Sequence, residues 1–219
     1  MTLNIRVIRA LVLVALALIV VEFSPGLPGG SGPWVPFVAQ RIARLYRISP
    51  SGKKLIGEAS EVWLRNSQGS LYLRRTPIVS EVPEAAYEKA MLVEATTGTT
   101  YMLDYAAKTI RILRKGKPLV PVTPASFSSS MPQDRFIGKK TIAGVECLQW
   151  RMVSADSLVH TAGEPGGEMC FAPSLNFAPI ESVDSDGAME SQMEVTSIQP
   201  GQDPDPKLFQ LPDGFTTVN

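Results

Sequence analysis

The segment at residues 180–198, IESVDSDGAMESQMEVTSI, decides the fold class. Within it Met189, Met193 and Val195 are expected to face one way, while the polar residues between them face the other. Alternation with a period of two is typical of a half-buried antiparallel strand. The turn sequence at residues 184–187 separates this strand from a second apolar stretch before it, so the segment predicts a β-hairpin.

Similar short stretches, rich in β-branched and aromatic residues, extend outward from this hairpin along the chain. Trp63 and Tyr72 are the predicted aromatic anchors of one further hairpin. Residues 83–90 predict one short helix, because a proline is followed by good helix formers. The pattern predicts a mainly β protein with an antiparallel sandwich or open barrel. Its further strands are predicted at residues 41–48, 55–65, 70–75, 90–95, 100–104, 109–113, 145–153 and 168–172.

Residues 101–112 predict a second clear hairpin. Tyr101 and Leu103 are expected to share one face, and Ile110 and Ile112 to share another.

Three segments outside the predicted strands are interpreted as connections. Residues 116–133 are rich in Pro, Ser and Thr and predict a mobile flap or a crossing connection. Residues 136–144 predict a small turn unit, and residues 154–167 predict a long loop.

The N-terminus carries an export pattern. Arg6 and Arg9 precede an apolar run at residues 10–21, so residues 1–23 predict either a signal peptide or a single-pass membrane anchor. A Gly/Pro-rich linker at residues 24–39 and one β domain at residues 40–219 follow. The expected location is periplasmic, secreted, or anchored to the inner membrane and facing the periplasm.

The charge of the chain is divided between its two halves. Through Arg151 there are 20 Lys and Arg against 10 Asp and Glu, a balance of +10; from Met152 onward there is 1 against 11, a balance of −10. Folding is expected to pair the halves, although a dipolar surface is the alternative. No basic cluster with a stacking platform is present, so we expect no nucleic-acid partner.

Cys147 and Cys170 are the only two cysteines. They lie on the strands that flank the loop at residues 154–167, and a hairpin in which Cys147 faces Cys170 predicts a disulfide. The alternative is a pair of buried thiols. Because no second pair of ligands lies at metal-binding spacing, we expect no metal site.

The sequence predicts no catalytic residues and no cofactor. His160, the single histidine, lies in a predicted loop with no nucleophile elbow or zinc motif elsewhere. Ser51 belongs to a Ser-x-x-Lys match that falls in a predicted turn and lacks its companion motifs. Residues 184–187 begin like a calcium loop but return directly to a strand pattern, which favours a hairpin turn.

The C-terminal eighty or so residues resemble a bacterial envelope family. The matching segments are KTIAGVEC at 140–147, CFAP at 170–173, EVTSI at 194–198 and LFQLPDGF at 208–215, with the hairpin at 101–113 in agreement. This order resembles a periplasmic family of unknown function related to the lipoprotein-localisation factors. The resemblance implies a strongly curved antiparallel sheet, an incomplete barrel with one or two short helices, whose concave apolar face receives acyl chains.

On composition alone, the methionine and aromatic residues are expected to fill a core. The resemblance implies instead that some of them, together with aliphatic residues, line a cavity: Tyr101, Leu103, Ile110, Ile112, Trp150, Met152, Met189 and Met193.

Three functions are compatible with this sequence. The leading hypothesis is a non-enzymatic envelope protein that binds a lipid, an acyl chain or a lipoprotein on its concave face. Its partners would be that ligand, an envelope protein and, if the N-terminal segment is retained, the membrane. The second is an envelope scaffold or accessory subunit with a solidly packed sheet. The third is a hydrolase with an unrecognised site.

Overall fold

The computed structural model describes residues 33–81, 88–131, 133–153 and 166–218. Within these ranges the chain forms one sheet of 12 strands and one α-helix, with three short 3₁₀ turns. The strands are β1 (Phe37–Ser49), β2 (Gly52–Arg65), β3 (Leu71–Ser80), β4 (Lys89–Glu94), β5 (Thr99–Asp104), β6 (Thr109–Arg114), β7 (Phe136–Ile142), β8 (Val145–Val153), β9 (Gly166–Ala172), β10 (Ala178–Ser185), β11 (Met189–Pro200) and β12 (Thr216–Val218).

The strand order is β12-β6-β5-β4-β3-β2-β1-β11-β10-β9-β8-β7. The two edges, β12 and β7, do not pair with each other, so the sheet is not closed into a barrel. All neighbours are antiparallel except β12, which runs parallel to β6. The predicted fold class, a mainly β and incompletely closed antiparallel sheet with a short helix, is confirmed.

The sheet has two faces, which we name after the two predicted anchors. Trp63 faces Leu73 across β2 and β3, whereas Tyr72 faces Leu64. Adjacent residues of a strand point to opposite sides, so these pairs define a Trp63 face and a Tyr72 face. Both anchors are buried, Trp63 against Phe37 with ring centroids 4.5 Å apart.

Strand β1 begins at Phe37, inside the segment predicted as a linker. Phe37 is fully buried in the largest apolar cluster, and Val35 packs against the same cluster. The boundary is displaced because these apolar residues extend the strand and join the core.

Residues 116–133, predicted as a mobile flap or a crossing connection, join β6 near one edge of the sheet to β7 at the other edge, as the second alternative requires. This segment contains helix α1 (Pro124–Ser130). Thr123 caps it by accepting from the Ser126 backbone N–H, and the Ser126 hydroxyl accepts from the Thr123 N–H. This capping box, a proline at the first turn and the buried Phe127 together offset a poor helix composition.

Of the helix predicted at residues 83–90, residues 82–87 lie outside the described ranges. Lys89 and Ala90 belong to β4. The prediction is wrong for these two residues, because their backbone pairs with β3 and β5.

Two further predictions are corrected by strand pairing. The turn unit expected at residues 136–144 is mostly strand β7, and only Ala143 and Gly144, with φ of 49° and 82°, form the turn. In the hairpin of β5 and β6, Ile110 faces Leu103 and Ile112 faces Tyr101. Directly opposed residues share a face, so all four lie on one side of the sheet rather than on two.

The disulfide between Cys147 and Cys170 is present, with Cα atoms 5.4 Å apart. The predicted register is nevertheless wrong by two residues, because Cys170 faces Gln149. Trp150 faces Met169 in the observed register, which aligns the large apolar side chains beneath α1. The disulfide therefore joins diagonal rather than opposed neighbours.

The hairpin of β10 and β11 forms as predicted, but its turn begins two residues later than expected because Asp184 and Ser185 still pair with β11. The basic and acidic halves of the chain meet in ion pairs across the sheet, Lys53 with Glu190 and Lys140 with Glu181. The expected pairing of the two halves is thus observed at these positions.

Candidate functional site

A row of charged side chains crosses the middle of the Trp63 face. Arg41 on β1 is directly opposed to Glu61 on β2, and Glu61 is directly opposed to Arg75 on β3. Alternation along β2 places Glu61 on the same side as Trp63. Three neighbouring strands therefore bring two arginines and one glutamate together in the interior of the sheet.

The carboxylate of Glu61 binds both arginines. Nε of Arg41 lies 2.5 Å from Oε2, and Arg75 approaches Oε1 with Nε at 2.6 Å and Nη2 at 2.5 Å. The Arg41 guanidinium also lies over the Trp63 ring, 5.1 Å from its centroid. Arg41 and Glu61 have 0% exposed side chain, whereas Arg75 has 20%.

The two terminal nitrogens of Arg41, Nη1 and Nη2, have no hydrogen-bond partner in the described part of the chain. A guanidinium carries five N–H donors, and in Arg41 only Nε–H is bonded. Buried polar groups in native proteins are nearly always hydrogen-bonded, since an unmet buried donor lowers stability. Among the described residues four buried side-chain nitrogens have no hydrogen-bond partner: two belong to Arg41, and the other two are Nη2 of Arg75 and Nε1 of Trp150.

The electrostatics keep the network charged. Burial alone would raise the pKa of Glu61, but the charges of Arg41 and Arg75 and their hydrogen bonds hold that pKa below its usual value. Burial lowers the pKa of Arg41, although the charge of Glu61 and its hydrogen bond act to raise it. Guanidinium groups are in general positively charged in proteins at neutral pH. One carboxylate and two guanidinium groups leave a net charge of +1 in the network.

Arg65, at the end of β2, is a second buried arginine on the same face. Its Nε donates to the Val35 carbonyl at 2.9 Å, and its Nη2 donates to the Leu175 carbonyl at 2.7 Å and to Asn176 Oδ1 at 3.2 Å. Its guanidinium also lies over the ring of Phe37. Burial lowers the pKa of Arg65 to about 9. Arg65 thereby fastens the segment between β9 and β10 to the end of β2.

A row of mostly apolar side chains, interrupted by Ser182 and called the apolar row below, runs beside the charged row on the Trp63 face. Successive strand pairs connect Trp150 on β8, Met169, Ser182, Met193, Ala43 on β1 and Ala59. Ala43 is adjacent to Arg41 on the same side of β1, and Ala59 is adjacent to Glu61 on β2. The row thus leads from Trp150 to the charged network.

Helix α1 covers the Trp150 end of this row. Phe127 stacks on Phe177 at 4.1 Å between ring centroids and meets the edges of Trp150 and Phe171 at 5.8 and 5.1 Å. Half-buried Leu148, Met152 and Met169 surround this cluster, and the buried Nε1 of Trp150 has no partner in the described ranges. Methionine and aromatic side chains of this kind adapt to irregular apolar ligands.

The Tyr72 face carries a separate cluster. Leu103, Ile110 and Tyr72 are buried there, covered by Phe209 and Phe215 from the C-terminal segment. The hydroxyls of Tyr72 and Tyr105 lie 2.9 Å apart, and burial raises the pKa of Tyr72.

The structure divides the eight residues predicted to line a cavity between the two faces. Tyr101, Leu103, Ile110 and Ile112 lie on the Tyr72 face, whereas Trp150, Met152, Met189 and Met193 lie on the Trp63 face. Strand alternation therefore prevents all eight from lining one surface, and the lining role of either group stays a prediction.

The remaining candidates play no visible part in a site. Ser51 lies in the exposed turn between β1 and β2, where its hydroxyl is 2.8 Å from that of Ser49. His160 lies outside the described residues. Between residues 33 and 218, wherever the structure describes the chain, His, Cys, Asp and Glu form no group able to hold a metal ion.

Sequence reasoning missed Arg41, Glu61 and Arg75. A signal was present: Arg41 stands between Ala39 and Ala43, and Glu61 between Ala59 and Trp63, at positions where the alternation demands inward-facing side chains. A charged residue at such a position indicates a buried ion pair or a binding group.

No protein family and no curated protein matches the sequence. Solved structures do match. MucB has a TM-score of 0.42 at 13% identity, with 83% of this chain and 58% of MucB covered. The Pseudomonas aeruginosa MucA/MucB complex gives 0.40 at 11%, covering 80% and 55%. A Vibrio parahaemolyticus domain described as an outer membrane lipoprotein-sorting protein gives 0.36 at 8%, covering 82% and 91%.

The chain thus spans somewhat over half the length of the MucB structures. A lipoprotein-sorting domain is among the solved structures to which the fold is similar. No helix within the described ranges has both the length and the apolar character needed to cross a bilayer, and the apolar run at residues 10–21 lies outside those ranges.

Proposed function

We propose that this protein is exported and works in the bacterial periplasm, either free or tethered by residues 1–23. Two observations support this location. The N-terminal sequence has the charged and apolar regions of an export segment. The Cys147–Cys170 disulfide is typical of proteins in oxidising compartments.

We further propose that it is a non-enzymatic binding protein that takes an acyl chain, as a lipid or as part of a lipoprotein, on the Trp63 face. The observation that carries the proposal is the adaptable cluster beneath α1, in which Leu148, Met152 and Met169 are only half-buried around Trp150. The apolar row extends from that cluster to β1 across four strand spacings, about 19 Å. That length is comparable with a long acyl chain.

Native mass spectrometry of protein purified from an envelope fraction tests this proposal. We expect lipid-sized adducts, and we expect added fatty acid to displace a fluorescent apolar probe. The acyl chain would lie beneath Phe127, so Phe127→Ala should weaken the binding of the probe. Phe215→Ala removes an aromatic ring from the Tyr72 face and is the matched control. Consistent absence of adducts together with no probe displacement would reject the proposal.

The scaffold alternative has one observation in its favour. Strand β7 is an edge of the sheet and exposes Phe136 and Ile137, at 40% and 42%. Apolar side chains on an open edge offer a surface for another protein. A photocrosslinker at Ile137 that captured one stoichiometric envelope protein, in a sample free of lipid, would favour this alternative.

A further inference from the structure

We propose that the Arg41–Glu61–Arg75 network is the binding site for the head group of the apolar ligand, and that this head group carries one negative charge on two oxygens, as a carboxylate or a phosphodiester does. This inference rests on the proposed function, because it assumes that an acyl chain occupies the Trp63 face. It adds the chemical class of the ligand and the residues that recognise it.

Hydrogen bonding is the first argument. Nε of Arg41 is used by Glu61, while Nη1 and Nη2 are buried and have no partner in the described ranges. These two nitrogens form the outer edge of a planar fork, which matches the spacing of two oxygens on one anion. A bound carboxylate or phosphodiester would satisfy both nitrogens at once.

Charge is the second argument. Glu61 neutralises one of the two arginines, so the network keeps one uncompensated positive charge in a buried place. Burial of such a charge is unfavourable, and a single negative charge on the ligand would remove it. A cationic head group would be repelled, and a neutral one would leave the excess charge in place.

Position is the third argument. Arg41 adjoins Ala43, a member of the apolar row that leads to Trp150. An acyl chain along this row would place its head beside Arg41. The network reaches solvent at Arg75, whose side chain is 20% exposed, so this end of the row is where a head group would enter.

Arg65 shows that the fold can satisfy a buried arginine where no ligand is needed. Its Nε and Nη2 bond to two backbone carbonyls and one side-chain oxygen. The different state of Arg41 therefore does not reflect a general shortage of acceptors on the Trp63 face.

The test is calorimetric titration of the full chain, freed of endogenous lipid, with probes that share one chain and differ in the head. Dodecanoate, dodecanol and dodecyltrimethylammonium supply a negative, a neutral and a positive head. Dihexanoyl phosphatidylglycerol supplies the phosphodiester, and acetate and inorganic phosphate supply anions without a chain. We expect dodecanoate to bind at least about tenfold more tightly than dodecanol, and dodecyltrimethylammonium to bind more weakly than both. Acetate and phosphate should not bind at concentrations at which dodecanoate saturates the protein.

Arg41→Met should reduce the preference for dodecanoate over dodecanol to about onefold and leave the dodecanol affinity nearly unchanged. Arg44→Met is the matched control. It removes a positive charge from the same strand, but Arg44 lies on the opposite face and pairs with Glu58. We expect this variant to keep the wild-type preference.

The possible failures are distinguishable. If no chain-bearing probe binds, the proposed function fails. If dodecanol and dodecanoate bind the wild type equally, or Arg41→Met keeps the preference, the acyl site stands and the inference is overturned. If acetate or phosphate binds as tightly as dodecanoate, the site is one for free anions, and the proposal of an amphiphilic ligand is overturned. Should Arg41→Met fail to fold, the wild-type preference and its partial loss in Arg75→Met decide the matter.

Discussion

Two buried arginines on one face of this sheet have opposite surroundings. Arg65 sits at the end of β2, where the chain leaves the sheet and backbone carbonyls of Val35 and Leu175 are available as acceptors. Arg41 lies within β1, next to the register irregularity between Gln40 and Arg41, and among its nitrogens only Nε has a partner, the Glu61 carboxylate. Its two terminal nitrogens have no acceptor among the described residues.

The comparison assigns different tasks to the two regions. The Arg65 region is closed and holds the segment between β9 and β10 in place. The Arg41 region is held by Glu61 but leaves two donors unused. Loss of Arg65 should lower stability without changing ligand preference, whereas loss of Arg41 should change ligand preference with little effect on stability.

The largest effect is expected from Glu61→Gln. The substitution keeps the volume but leaves the buried Arg41 and the half-buried Arg75 without a counter-charge, and should lower the free energy of unfolding by about 3–5 kcal/mol in urea titrations. Glu58→Gln, at a partly exposed pair with Arg44, should cost no more than about 1 kcal/mol. Equal effects of the two substitutions would contradict a charge-holding role for Glu61.

Removal of the disulfide should have the next largest effect on stability, and it tests the region that Arg65 holds in place. Cys170 lies on β9, just before the segment that Arg65 fastens. Replacing Cys147 and Cys170 together by Ala opens a loop with a sequence separation of 23 and should lower unfolding stability by about 3 kcal/mol. The check is urea unfolding, with non-reduced peptide mapping to establish the bridge in the wild type.

Arg65→Met should follow, at about 2 kcal/mol, because it leaves the buried Leu175 carbonyl and its neighbours without a donor. Hydrogen exchange should show faster exchange at residues 173–177 than in the wild type. The preference for dodecanoate over dodecanol should persist in this variant. A lost preference would show that the two arginines are not separate in function.

Arg41→Met should have the smallest effect on stability, within about 1 kcal/mol of the wild type in either direction. Glu61 retains Arg75 as its partner, and the substitution removes two buried donor nitrogens that have no hydrogen-bond acceptor in the described ranges. The measurement is urea unfolding of lipid-free protein. A loss of stability as large as that of Arg65→Met would show that the terminal nitrogens of Arg41 have hydrogen-bond acceptors in the folded protein. The contrast between the two arginines would then be wrong.

The sheet was predictable from the sequence because its signals are local. The alternation around Met193 and the turn after Val183 required no knowledge of distant residues. Helix α1 was missed although Thr123, Pro124 and Ser126 carry a capping signal, because Pro, Ser and Thr dominate the segment. The parallel strand β12 is too short to leave a pattern.

The candidate site was not predicted because it depends on register. Arg41, Glu61 and Arg75 meet only when β1, β2 and β3 align, and a shift of one residue would send each side chain to the other face. The same sensitivity explains the disulfide: the pairing of Cys147 with Cys170 was foreseen, but their positions in the ladder were set by the packing of Trp150 against α1.

The most direct measurement is a crystal structure of the protein with dodecanoate bound. We expect the carboxylate oxygens to lie about 2.8 Å from Nη1 and Nη2 of Arg41, with the acyl chain directed along the Trp63 face toward Trp150. A fatty acid bound on the Tyr72 face, or a carboxylate placed away from Arg41 while both terminal nitrogens bond to protein atoms, would contradict it.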